Sequence, residues 1–217
     1  MLHEVSKWKL YVSVWTKTIE RYDEIQTKII SKFKDKINNY LSFQSVKSFT
    51  YFARRLNPKK KARVDIKGNP EHLEIKEIDW KLINKLKQNS KKPVTEIAKE
   101  LKLTPNAVIR KIATLKKKDI IERFYPIIDM NKIGFTEYTY ISRIDPSYVK
   151  ELEEFLKFTE KDLRFVIVIK AVGYVNLYYS FLAKDRDEFK EINSKIEKIL
   201  GKAVLETYKI EVDEMIS

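Results

Sequence analysis

The chain has 217 residues, 44 Lys plus Arg against 31 Asp plus Glu, two His, no Cys and four isolated Gly. That inventory excludes a disulfide framework, a thiol nucleophile, Cys-based or multi-His metal sites, a Rossmann fingerprint and a P-loop. No apolar run approaches the roughly 18 residues that span a bilayer and no signal peptide is read, so a soluble, cytoplasmic protein without membrane partner or cofactor is expected.

The net charge of +13 is unevenly spread: residues 1–70 carry +10, residues 71–130 carry +5 and residues 131–217 carry −2. A basic front and a near-neutral back suit a polyanion partner for the first two-thirds. Lysine-rich solvated faces are the bland alternative.

In chain order, residues 1–56 read as strand, helix and strand, with the strands near 7–14 and 46–54. Residues 57–73 hold two prolines, Gly68 and the run Lys59, Lys60, Lys61, and read as a linker. Three short helices follow in residues 74–130. Ile78, Leu82, Ile83 and Leu86 stripe the first; Thr95 is the expected N-cap of the second, which carries Ile97, Ala98 and Leu101. Thr104 as N-cap with Pro105 at the first position starts the third, which runs to about Lys118 with Val108, Ile112 and Leu115 inward. Asp119 leads into the run IIERFYPIID, expected to form a β wing.

Residues 134–217 read as βαββαβ, the order of a ferredoxin-like sandwich. Strands are expected at Phe135 to Ile144, Arg164 to Val172, Tyr174 to Ala183 and around Tyr208 to Val212. One helix carries Val149, Leu152, Phe155 and Leu156, and the other Phe189, Ile192, Ile196 and Ile199, with Gly201 as its expected C-terminal cap. The aromatic set Tyr138, Tyr140, Tyr174, Tyr178 and Tyr179 reads as sheet packing rather than as a pocket.

Sliding the front of the chain by 167 positions aligns it with residues 174–200. Leu10, Tyr11, Ser13, Lys17, Glu24, Ile25, Lys28 and Ile29 then match Leu177, Tyr178, Ser180, Lys184, Glu191, Ile192, Lys195 and Ile196. Residues 1–56 are thus read as a partial β-α-β copy of the second half of the ferredoxin-like unit. Such a half lacks the strand that would separate its two strands, so it must borrow an edge or pair with another copy.

Helix, helix, turn, helix and wing is an arrangement that sets one helix in the DNA major groove. With Val108, Ile112 and Leu115 inward, the outer face of the third helix offers Thr104, Asn106, Ile109, Arg110, Ala113, Lys116 and Lys117, and the wing adds Arg123. Asn pairs bidentately with adenine and Arg with guanine, while Ile109 or Ala113 can touch a thymine methyl. The lysines and Arg123 suit phosphates. Double-stranded DNA is therefore the expected partner, and the expected fold class is α+β: a winged helix-turn-helix domain, then a ferredoxin-like domain, preceded by the partial unit.

Residues 74–216 resemble the leucine-responsive regulatory protein (Lrp)/AsnC family, because Asp79, Ala98, Thr104, Val108, Leu115, Ile120, Ile121 and Gly134 fall at family spacing. The resemblance implies a transcription regulator that self-associates, as a dimer or larger even-numbered oligomer, through an effector-binding C-terminal domain. The first 56 residues stand outside that plan. Lys102 occupies a turn position where the family usually has Gly, at a cost of about 1 kcal/mol if φ there is positive. Lys111 replaces a common Arg. The implied effector residues are Gly173, Tyr174 and Asn176; Asn176 stands where the family often has Asp and cannot hold an ammonium group by charge, so a changed small-molecule effector or none is expected. Two rivals are a non-DNA-binding architectural subunit and a sirohaem decarboxylase-type enzyme. The latter sits poorly with the absence of His after His72 and of an Arg-Ile-Gly run at Ile121 to Phe124. The chain is expected not to be an enzyme.

Overall fold

The computed structural model describes residues 11–14, 16, 18–51, 63–66 (backbone only), 75–118, 120–121, 124 and 128–210. The chain forms two compact units, residues 69–128 and residues 1–68 with 129–217. No described helix is long and apolar enough to cross a membrane.

The smaller unit holds α2 (Glu77–Gln88), α3 (Val94–Leu101) and α4 (Pro105–Lys117). Their stripes meet in a core of Leu82, Leu86, Ile97, Ala98, Val108 and Leu115, with Ile112, Leu101 and Leu103 half-buried around it. Full burial of each large aliphatic residue contributes about 1.5–3 kcal/mol. Ala98 lies in this core, where a small side chain lets helices approach closely. The second helix begins two residues earlier than expected: Pro93, not Thr95, is the N-cap of α3, and its extended backbone leaves its carbonyl accepting from Glu96 and Ile97. Most of the expected wing, including Asp119, Glu122, Arg123 and residues 125–127, lies outside the described residues.

In the larger unit one six-stranded sheet runs β2-β1-β4-β5-β3-β6, with every pairing antiparallel. The strands are β1 (Phe43–Thr50), β2 (Arg63–Ile66), β3 (Thr136–Ile144), β4 (Phe165–Gly173), β5 (Leu177–Ala183) and β6 (Val204–Ile210). The last four, with α5 (Val149–Lys161) and α6 (Arg186–Leu200), form the expected ferredoxin-like domain. Alternation sends Tyr140, Tyr179, Phe181 and Leu177 to the helix-covered face, where they join Phe155, Phe165, Ile192, Ile196 and Leu200. Tyr138, Tyr140 and Tyr179 thus pack the core, as edge-to-face and offset ring pairs such as Phe155–Tyr179 at 5.3 Å. The opposite face carries Ile141, Val175 and Ile210 with Phe43, Tyr178 and Tyr208, and the ring of Tyr11 stands 6.0 Å from that of Tyr178. Arg164 at the mouth of β4 ties the sheet to α6, bonding Asp162 at 2.5 Å and Glu191 at 3.1 Å.

The front of the chain departs from the expected half unit. Its helix forms as α1 (Ile19–Lys32), and the 167-residue offset sets its N-cap Thr18 on Asp185, the N-cap of α6. Its second strand forms as β1, three residues earlier than expected, and borrows the free edge of β4 in the same chain, with Phe43 opposite Gly173 and Thr50 opposite Ile167. The described part of the expected first strand, Tyr11 to Val14, takes no place in the sheet. The segment expected to be a linker supplies β2, which pairs with β1 over Arg63–Ile66. The partial unit and the C-terminal domain therefore share one sheet, because a lone edge strand satisfies its backbone only by pairing. Gly201 ends α6 in right-handed rather than left-handed conformation; its need for glycine comes from the carbonyl of Glu197, which an added Cβ would strike.

Candidate nucleic-acid interface

The local sequence sets α4 in place from both ends. Thr104 is extended (φ −81°, ψ 151°) and its Oγ1 accepts from the backbone N–H of Ala107 at 3.2 Å, while Pro105 fills the first helical position. Val108 and Leu115 are buried, which rolls the opposite face outward. Thr104, Asn106, Ile109, Arg110, Ala113, Lys116 and Lys117 are all exposed, Ile109 by 52%. The structure brings these seven sequence-predicted residues to one side of one helix; the eighth, Arg123, lies outside the described residues. No acidic side chain occurs in α4, and Arg110 has no ion-pair partner among the described residues. Lys116 stands 5.3 Å over the ring of Phe124, a cation–π contact that carries this lysine toward the residues after α4.

Two further features hold this face. Lys102 adopts φ 54°, ψ 44°, the left-handed cap that ends α3, and lets Leu103 donate back to the carbonyl of Ala98 at 2.8 Å. Lys111 does not face outward with Arg110: its ammonium bonds Asp79 on α2 at 2.7 Å, partly buried, and so sets the roll of α4 against α2. Asp79 and Lys111 each stand out in the sequence, but nothing local joins them. The available signal was one acid and one base on the inward edges of two helices, 32 positions apart.

The implied effector residues are engaged by the fold. Gly173 has φ +140°, and an added Cβ would lie 2.8 Å from the carbonyl oxygen of Ser42 and 3.0 Å from Cα of Phe43, where β1 begins. Asn176 is spent on the backbone of Ile144, its Oδ1 accepting from the N–H and its Nδ2 donating to the carbonyl, each at 2.8 Å. Tyr174 donates its hydroxyl to Glu206 at 2.6 Å, and Arg143 lies 4.9 Å over its ring. Hydroxyl bonds from Tyr174 and then Tyr208 hold the Glu206 carboxyl below the usual glutamate range, and the same bond pushes the Tyr208 hydroxyl up to about 12.

Known proteins resemble the chain at two levels. Residues 76–116 match the AsnC-type helix-turn-helix domain. An HTH-type transcriptional regulator of Pyrococcus horikoshii, PH0140, is 26% identical over 138 residues, which are 62% of this chain and 85% of the relative. The HTH-type transcriptional regulator PF0054 of Pyrococcus furiosus is also 26% identical, over 140 residues, 64% of this chain and 90% of its own length. Among solved structures, Escherichia coli AsnC superposes with a TM-score of 0.57 at 16% identity, covering 67% of this chain and 98% of AsnC. A Neisseria meningitidis transcriptional regulator in complex with L-Met gives 0.57 at 14% identity, covering 66% of this chain and 93% of that one. These last two likenesses concern the fold.

Proposed function

Since the chain belongs to the Lrp/AsnC family, we propose that it is a sequence-reading, DNA-binding transcription regulator whose α4 enters the major groove. The observation that carries this reading is the outer face of α4: seven exposed residues with no carboxylate among them, on a helix locked from behind by Val108, Leu115 and the Lys111–Asp79 pair. Asn106 and Arg110 are the base readers, Ile109 and Ala113 the methyl contacts, and Thr104, Lys116, Lys117 and Arg123 the phosphate contacts. The assembly is a dimer or larger even-numbered oligomer, joined through the C-terminal α+β domain. Two copies of α4 then read half-sites roughly 34–36 Å apart. As a regulator of this kind it acts in the cytoplasm and performs no catalysis.

The fold neighbour solved with L-Met raises the question of an effector. In this chain Asn176 offers no carboxylate to an ammonium group and both its polar atoms are taken, so Gly173, Tyr174 and Asn176 are better assigned to structure than to amino-acid capture.

Arg110→Ala tests the reading. It should weaken binding to a cognate duplex by about 1–3 kcal/mol and relax choice at one base pair. An equal loss on every sequence would make Arg110 a phosphate contact. The extra front segment, which shares the C-terminal sheet, favours a second reading as an architectural subunit that does not touch DNA. Salt titration separates the two: a DNA binder loses log affinity linearly with log salt as its cations release condensed counterions, and a subunit of the second kind gives no slope.

A further inference from the structure

The helix layer of the larger unit stops one place short. α6 packs against β5 and α5 against β4, but no described helix covers β1, the next strand outward. Between β1 and α5 lies a groove of about 310 Å³ with a floor of Phe49, Tyr51 and Leu156. Its α5 rim is Glu153, Lys157 and Glu160, at helical spacing with Leu156, and Lys47 stands on the strand side. None of these four charges has an ion-pair partner among the described residues.

The same chain carries a helix whose apolar stripe is only partly covered. α1 repeats α6 at a constant offset, so Ile25, Ile29 and Phe33 correspond to Ile192, Ile196 and Leu200. The three residues of α6 are buried on the sheet; of their counterparts, Ile25 and Ile29 are only half-buried and Phe33 is 42% exposed. Lys28 and Lys32 line one flank of the α1 stripe, opposite in charge to Glu153 and Glu160 on the groove. Within its own chain α1 is tied to the start of β1, where Tyr22 shares a 2.6 Å hydrogen bond with Ser42 and Gln26 also contacts it. The groove centres on Phe49, seven residues along an extended strand and so roughly 23 Å away.

We propose that α1 of one copy docks into the β1–α5 groove of a second copy, taking over β1 the place that α6 takes over β5. Ile25 and Ile29 cover the floor of Phe49, Tyr51 and Leu156, and Lys28 and Lys32 pair with Glu153 and Glu160. The interface is separate from α4 and needs no DNA, so its failure would leave the regulator reading standing.

The absence of cysteine makes the test direct. Equal amounts of full-length Ile29→Cys and Leu156→Cys chains, of different tag length, are mixed without DNA and oxidised. The proposal expects the mixed disulfide dimer to exceed the two like dimers together at least fivefold. Random pairing, in which the mixed species is about half of the total, would overturn it. So would a double Ile29→Cys, Leu156→Cys chain that closes as a monomer, since the groove would then hold the chain's own helix. Reversing Glu153 and Glu160 to Lys should cut the mixed dimer at least fivefold, and adding Lys28→Glu and Lys32→Glu on the other chain should restore it. Cross-linking indifferent to both reversals would also refute the docking.

Discussion

The outer face of α4 and the β4–β5 turn are both rich in polar and special residues, and both invite a functional reading from sequence. They end up in opposite states. On α4, Asn106, Arg110 and Lys117 point to solvent while the helix is held by other residues. At the turn, Gly173 is pressed by β1, Asn176 is consumed by Ile144, and Tyr174 is bound to Glu206. Polar groups become available to a ligand only when the fold does not need them. Substitutions should therefore cost stability at the turn and function on α4.

The largest effect is expected from Gly173→Ala. Its Cβ would meet backbone at 2.8 Å and force a non-glycine residue to φ +140°, a loss on the order of 3 kcal/mol seen as a lowered denaturation midpoint. A neutral outcome would mean that β1 does not press on this turn. Asn176→Asp comes next: the carboxylate loses the Nδ2–H that serves the Ile144 carbonyl, at about 2 kcal/mol, and no gain in amino-acid affinity should accompany it. Calorimetry with an amino-acid panel would break the comparison if the variant bound one tightly.

On the helix-turn-helix side, Lys102→Gly should stabilise the smaller unit by about 1 kcal/mol, because φ 54° suits glycine without the Cβ penalty. Chemical denaturation followed through Trp80 would read it. Arg110→Ala should move that same midpoint by less than about 0.5 kcal/mol while weakening DNA binding; a large stability loss would place Arg110 with the structural residues. The smallest effect concerns acid. The folded-state value of Glu206 lies below its ordinary 4.5, so its contribution is present above that pH and is lost as pH falls through the lowered folded value. Comparing thermal midpoints of the parent and Glu206→Gln between pH 7 and 3 should show the two converging at the acid end.

Local pattern carried much of this molecule. The apolar spacings of Leu82 and Leu86, Ile97 and Ala98, and Val108 and Leu115 predict three helices with their buried sides, and these residues form one core. Thr104 followed by Pro105 marks the start of α4, and that start holds in the structure. The outward set on α4 follows from the same arithmetic, since a helix whose inward residues are known has no freedom left in its outer ones. Alternation likewise separates Tyr140 and Tyr179 from Ile141 and Tyr178, placing the two pairs on opposite faces of one sheet.

Other features had no local signature. The strand character of β1 is readable, but its partner is not: hydrogen bonds along a strand edge are nearly indifferent to side-chain identity, and the four C-terminal strands offer two edges, β4 and β6. The bond between Lys111 and Asp79 joins residues whose proximity exists only after α2 and α4 pack. α1 and α6 make the point most plainly, since one amphipathic pattern written twice buries its apolar side once. Periodicity along a chain encodes which face of an element is oily, because the repeat of the backbone is local. Which surface meets that face depends on long-range packing, where many partners are chemically equivalent and geometry alone chooses among them.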